Sequence, residues 1–87
     1  MIIEVRSTFE KEKDKGQLLK QKIKQAILNI QQAQKLAEIK NVKKLKGSTN
    51  AYRIRIGDYR IGFYYLNKKV ILARFKNRKE LYQNFPE

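Results

Sequence analysis

The sequence predicts an α+β fold in two layers: an N-terminal strand, a two-helix hairpin, a three-stranded antiparallel meander and a short C-terminal helical turn. Three observations predict it. Residues 51–75, AYRIRIGDYRIGFYYLNKKVILARF, alternate apolar and cationic side chains at the period of strands and are interrupted by turn residues. Leu19, Ile23, Ala26, Ile27 and Ile30 recur at the spacing of one helical face. Strands clustered after helices point to helices covering one side of an antiparallel sheet.

Each element has its own signal. Met1 to Arg6, with Ile2, Ile3 and Val5, reads as a short strand. Ser7-Thr8-Phe9-Glu10 matches a capping box, in which a hydroxyl and a glutamate satisfy orphan amides at a helix start. A short charged helix follows and is expected to stop at Gly16, a favoured residue just past a helix end. The apolar stripe then makes Leu18 to about Gln34 a second, amphipathic helix, with Lys20, Lys22 and Lys24 off the stripe. Leu36 to Asn50 contains KNVKKLKGSTN and reads as a basic connector with turn residues Gly47, Ser48 and Asn50. Residues 1–87 show no repeat or interdomain linker and are taken as one domain.

The meander fixes which cations meet. Gly57-Asp58 suits a two-residue hairpin loop, pairing Ile56 with Tyr59, Arg55 with Arg60, Ile54 with Ile61 and Arg53 with Gly62. Three arginines then share one face, and the glycine opposite Arg53 is expected to leave an open floor. For the second hairpin, a three-residue loop at Asn67-Lys68-Lys69 pairs Leu66 with Val70 and sends Ile71, Ala73 and Phe75 to the core. It also sets Arg74 across from Gly62 and Lys76 across from Arg60. A two-residue loop would turn Arg74 inward, which is costly for a charge. Like charges directly opposite one another destabilise a sheet, so a face built from Arg53, Arg55, Arg60, Arg74 and Lys76 implies a polyanion that offsets the cost.

Charge agrees with that inference. Hydrophobic residues make up 41% of the chain, enough for a small packed core, and the net charge is +13. Residues 1–39 hold 8 basic and 5 acidic residues, whereas residues 40–79 hold 13 basic residues and one acid, Asp58. Such a skew is the footprint of a nucleic-acid binder. The chain has no cysteine and no histidine, which excludes disulfides, a thiol nucleophile, imidazole acid–base catalysis and the commonest metal ligands. No metal or cofactor is expected. No apolar run approaches the roughly 20 residues of a membrane span, and MIIEVRSTFEKEK is too acidic for a signal peptide, so a cytoplasmic protein without a membrane partner is expected.

The order of elements, together with KKLKG at 43–47, YRIRIGDYRIGFYY at 52–65 and FKNRKELY at 75–82, resembles the RelE/ParE superfamily of toxin–antitoxin toxins over nearly the whole chain, and the RelE branch in particular. The resemblance implies a ribosome-dependent mRNA endonuclease that blocks translation, monomeric by itself and neutralised in a hetero-oligomer with an acidic antitoxin. It implies attack of a ribose 2′-hydroxyl on the adjacent phosphate, a reaction that needs alignment, stabilisation of a dianionic phosphorane and proton transfer. The family's paired basic residues on the first meander strand match Arg53 and Arg55. Its arginine after the turn matches Arg60, its basic residues before the terminal tyrosine match Lys76 and Arg78, and the base-stacking tyrosine matches Tyr82.

Three positions depart from the family. Arg53 and Arg55 stand where lysines are usual, and arginine stays protonated, which argues against a general base there. Asn77 stands where histidine is frequent and does not titrate. Lys76, Lys44 and Lys46 remain open as proton carriers. Lys44, Lys46, Tyr64 and Arg74 are expected to bind RNA around the site, and the segment after the last strand is expected to fold back beside its edge, bringing Arg78 and Tyr82 to Arg60 and Lys76. Two other functions compete: a non-catalytic nucleic-acid-binding member of a repressor complex, and a gyrase inhibitor of the ParE type.

Overall fold

Five strands form one sheet in the order β1-β5-β4-β3-β2, in a computed structural model that describes residues 1–86. β1 (Ile2–Val5) leads into α1 (Ser7–Lys13), a 3-10 stretch at Asp14–Leu19 and α2 (Lys20–Gln32). A 3-10 turn at Leu36–Glu38 precedes β2 (Val42–Lys44). The meander is β3 (Ala51–Ile56), β4 (Tyr59–Leu66) and β5 (Lys69–Asn77), followed by α3 (Arg78–Asn84). β1 lies parallel to β5; the other neighbours are antiparallel. The α+β architecture is as expected, with one strand more. β2 falls inside the segment read as a connector, because three residues are too few to show alternation. It forms because Val42, Lys43 and Lys44 find partners in Ile54, Arg53 and Tyr52.

Helices α1 and α2 cover one face of the sheet. Phe9, Ile23 and Ile30 are buried there against Ile54, Ile61, Phe63, Val70, Leu72 and Phe75. Phe9 meets Phe75 edge-on at 6.4 Å, Tyr59 stacks on Phe75 at 5.0 Å, and Tyr52 stacks on Phe63 at 5.4 Å. The N-terminal amino group seals the end of α2, donating to the carbonyls of Ile30, Gln31 and Ala33 at 2.9–3.1 Å.

The helix boundaries differ from those expected. The capping box does not form: Arg6 is the N-cap, without a side-chain bond, because its amide is already drawn to Leu72 O at 2.9 Å. Ser7 is therefore inside the helix, and the Thr8 hydroxyl donates to Ala73 O at 2.6 Å. The chain does not leave the helix at Gly16; the 3-10 stretch carries it on to α2. β1 pairs only with residues 69–72 of β5, so beyond that point Thr8 and Glu12 cap the bare edge, Glu12 Oε1 accepting from Phe75 N at 3.0 Å.

The second hairpin is a correction with an instructive cause. Its loop has two residues, Asn67 and Lys68, both at positive φ (51° and 62°), and Leu66 pairs with Lys69. Val70 and Leu72, not Ile71 and Ala73, are thereby turned to the helix-covered core. Arg74 nevertheless stays out of it. The register shifts at Gly62/Phe63, so that Ala73 and Arg74 together stand opposite Gly62. The bulge resets parity: Phe75 enters the core, Arg74 faces Gly62 and Lys76 faces Arg60.

The sheet's second face carries a smaller core of Ala51, Ala73, Leu81 and Phe85, flanked by Leu45 and Tyr64. It seats α3. The floor at Gly62 is consequently not open: a Cβ there would lie 2.9 Å from the Phe85 ring and 3.1 Å from Leu81. The C-terminal segment thus folds across the face of the sheet rather than beside its edge.

Candidate functional site

What α3 leaves uncovered on the second face is a trough of cations. Arg55 pairs with Arg60 and Arg53 with Gly62, the register expected from Gly57-Asp58. Gly57, at φ 58°, supplies the positive dihedral this turn requires. Among the described residues no carboxylate lies within ion-pairing distance of Arg53, Arg55 or Arg60.

Arg60 is the base of the trough, only 8% exposed. One Nη donates to the carbonyls of Gly57 and Tyr59, both at 2.9 Å, while the buried Nε has no partner. Arg53 is held by Asn41 O at 2.9 Å, and its Nε is likewise buried and unpartnered. Burial, then the charges of Arg53 and Arg55, push the Arg60 guanidinium below its ordinary pKa; the Tyr82 phenol opposes this, and Arg78 adds to it. Arginine remains a cation through such a shift. The site therefore stores unfavourable cation–cation energy that a bound anion would relieve.

Arg74 and Lys76 lie on this face by register but are turned to a counterion the sequence did not reveal. Glu12 takes a two-pronged hydrogen bond from Arg74, at 3.0 Å from Nε and 2.9 Å from Nη2. Lys76 Nζ lies 3.0 Å from the same carboxylate and 3.7 Å from Glu80. Burial alone would raise the Glu12 carboxyl, yet hydrogen bonds from Arg74, Phe75 N and Lys76 outweigh it and hold the group below its ordinary value. The one acid within residues 40–79 is Asp58; the counterion of Arg74 comes instead from α1, 62 residues away in the chain.

α3 brings the remaining groups. Its N-cap is Asn77, whose side chain accepts from Glu80 N at 2.9 Å and donates to Glu80 Oε1 at 2.7 Å. Arg78 N bonds Asp58 O at 3.1 Å, pinning the start of α3 to the β3–β4 turn. Arg55, Arg60 and Arg78 thereby line one cleft of about 430 Å³, together with Gly57, Asp58, Asn77, Lys79 and Glu80. Tyr82 is 50% exposed, while Leu81 is sealed against the sheet.

The connector residues divide by register. Lys44 pairs with Tyr52, whose ring packs on the helix-covered core, and so points away from the trough. Lys46 is exposed in the turn before β3. Lys43, which sequence reasoning did not single out, stands opposite Arg53 on the trough side. The missed signal was β2 itself, which fixes the parity of this strand. Tyr64 lies under α3, its ring 4.9 Å from that of Phe85 with Arg6 over it at 5.1 Å.

No family model matches the chain. A curated protein of Methanocaldococcus jannaschii, Toxin RelE3, is 39% identical over 69 residues, 78% of each chain. The crystal structure of the RelB–RelE antitoxin–toxin complex from Methanococcus jannaschii contains a chain that superposes with a TM-score of 0.77 at 35% identity, over 95% of this chain and 99% of that one. YafQ from E. coli has the same fold, with a TM-score of 0.66 at 18% identity over 92% of this chain and 96% of its own.

Proposed function

The chain belongs to the RelE family of toxins, and on that premise we propose that it is a ribosome-dependent mRNA endonuclease of a toxin–antitoxin pair, acting in the cytoplasm. The observation that carries the reading is the trough: Arg53, Arg55 and Arg60 stand on neighbouring positions of one sheet face with no ion pair among the described residues, and Arg55, Arg60 and Arg78 line one cleft, which Asp58 and Glu80 also border. Such a site suits a phosphate in a single-stranded RNA. Arginine forks hold non-bridging phosphate oxygens bidentately and gain most when a second negative charge develops on them.

In the step we envisage, the ribose 2′-hydroxyl attacks the adjacent phosphorus and the bond to the 5′ oxygen breaks. The products are a 2′,3′-cyclic phosphate and a 5′-hydroxyl; the proton lost by the nucleophile balances the one gained by the leaving oxygen, and no water is consumed. Arg60 is fixed by two carbonyls and costs little reorganisation, so it is our choice for the phosphorane oxygens. Arg53 and Arg55 flank it, Arg78 faces it, and Tyr82 offers an exposed ring on which a base can stack. Arg74 and Lys76 support the trough through Glu12, and the side that Lys76 presents to Glu12 and Glu80 makes it a poor candidate for proton transfer. We take orientation and charge stabilisation as the main sources of rate.

The partner we propose is an acidic antitoxin. A groove of about 540 Å³ between α2 and β3 is floored by Ala26, Ile39, Ile54 and Ile56 and edged by Lys22, Lys40 and Arg55, which suits an amphipathic acidic segment. Mapping mRNA ends by primer extension after induction tests the proposal. Discrete new ends on translated messages, lost in Arg60→Ala, are expected. Intact messages with preserved antitoxin and operator binding would instead favour a non-catalytic repressor role, a reading supported by Asn77 serving as a helix cap. Chromosome breaks before translation stops would favour a gyrase target.

A further inference from the structure

We propose that Lys43 binds a second RNA phosphate, next to the scissile one, so that the strand enters the trough across the β2 edge of the sheet; the inference rests on the nuclease reading above. Strand parity sets the face on which Lys43 stands. Residues directly opposite in an antiparallel pair share a face, and Lys43 is opposite Arg53. Its neighbours agree: Val42 and Lys44 pair with Ile54 and Tyr52, which belong to the helix-covered core, while Leu45 packs on the other face beside Ala51. The Lys43 side chain therefore stands on the trough side, exposed, and no ion pair holds it among the described residues.

The layout of the face then decides direction. α3 seals the region over Gly62, Ala73 and Ala51, and Glu12 places a carboxylate on the β5 side, paired with Arg74 and Lys76. A polyanion entering over β5 would meet that carboxylate, and one entering over Ala51 would meet α3. The β2 side offers neither obstacle. It offers a lysine and then an arginine on adjacent strands, spaced by roughly 4.8 Å. An unpaired like-charge couple at a sheet edge costs stability, and a phosphate between Lys43 and Arg53 removes that cost. β2 is also an edge strand, so no further strand walls off the approach.

The test compares neighbouring lysines that face opposite ways. Binding of a short fluorescently labelled single-stranded RNA to the full chain is followed by anisotropy over a range of salt concentrations. For a single strand, each phosphate that the protein no longer neutralises lowers the steepness of log affinity against log salt by about 0.7. Lys43→Ala is expected to show that drop, Lys43→Arg to keep the wild-type slope, and Lys44→Ala to keep it as well. An unchanged slope in Lys43→Ala, or an equal drop in both alanine variants, would overturn the proposal. The nuclease reading fails separately: a wild-type chain that leaves no cleaved message refutes that reading whatever the slopes are, whereas message cleavage that depends on Arg60 alongside an unchanged Lys43→Ala slope refutes only this inference.

Discussion

Tyr82 and Leu81 are adjacent on α3 and do opposite things: Leu81 is fully buried, and Tyr82 is half exposed on the same turn. A ring left in solvent beside a cationic cleft is worth more to a ligand than to the fold. Stacking on a base contributes roughly 1–3 kcal/mol, so Tyr82→Ala should slow single-turnover cleavage on programmed ribosomes by about one to two orders of magnitude. Tyr82→Phe keeps the ring and separates stacking from proton transfer; a loss as large as that of alanine would assign the hydroxyl a chemical role. If neither variant slows cleavage, the tyrosine lies outside the site. At this scale the sequence was readable where alternation was strict. Arg53, Arg55 and Arg60 were found because a two-residue loop and period-two spacing leave one register. Lys43 was not, because three residues cannot display a period, and Glu12 was not, because nothing local links a helix glutamate to an arginine 62 residues away.

Two elements decide whether those side chains meet. The first is the β4–β5 turn, where Lys68 occupies a left-handed conformation at φ 62° after Asn67 at φ 51°. That strain costs a non-glycine residue about 1 kcal/mol or more, and Asn-Gly is the favoured pair for such a turn. Lys68→Gly should therefore stabilise the chain by about 1 kcal/mol, a rise in melting temperature of roughly 4–8 °C for a domain this size, with cleavage unaffected. An unchanged or lowered melting temperature would show that the turn is not under strain. The second element is α3, seated on Gly62. A methyl group at Gly62 would lie 2.9 Å from the Phe85 ring, so Gly62→Ala must lift Phe85 and with it Arg78 and Tyr82. Overpacking costs about 1–3 kcal/mol, and cleavage should fall at least tenfold while the sheet stays folded by circular dichroism. Phe85→Leu in the same chain should recover part of both losses; no recovery would mean that the seat does not position α3. The sequence marked Gly62 as special but not its occupant, because a missing Cβ shows that something approaches closely without saying what.

The whole molecule is tied together at one carboxylate. Glu12 sits on α1, binds Arg74, Phe75 N and Lys76 on β5, and through Lys76 reaches toward Glu80 on α3. In a chain of net charge +13, self-repulsion favours expansion, and this residue is where the helical layer, the sheet edge and the site's cations are drawn together. Its side chain is only 11% exposed, so removing its charge weakens the charge-assisted bonds it accepts from Arg74, Phe75 N and Lys76, at a cost of about 2 kcal/mol. The pH dependence follows from the sign of the shift. The folded pKa lies below the ordinary value of 4.5, so the folded state binds a proton less readily than the unfolded one. The stabilisation is complete above the unfolded value and is lost as pH falls through the folded one. Glu12→Gln should accordingly melt about 10 °C lower than the parent at neutral pH, and the difference should shrink steadily below about pH 4, until both chains carry a neutral side chain at this position and melt together. A gap that persists undiminished into acid would mean that Glu12 holds the fold by packing and not by charge. The same variant bears a net charge one unit more positive and withdraws the Glu12 charge from Arg74 and Lys76. Its affinity for single-stranded RNA at neutral pH should rise while its stability falls, and a simultaneous fall in both would show that Glu12 acts on the trough only by keeping it folded.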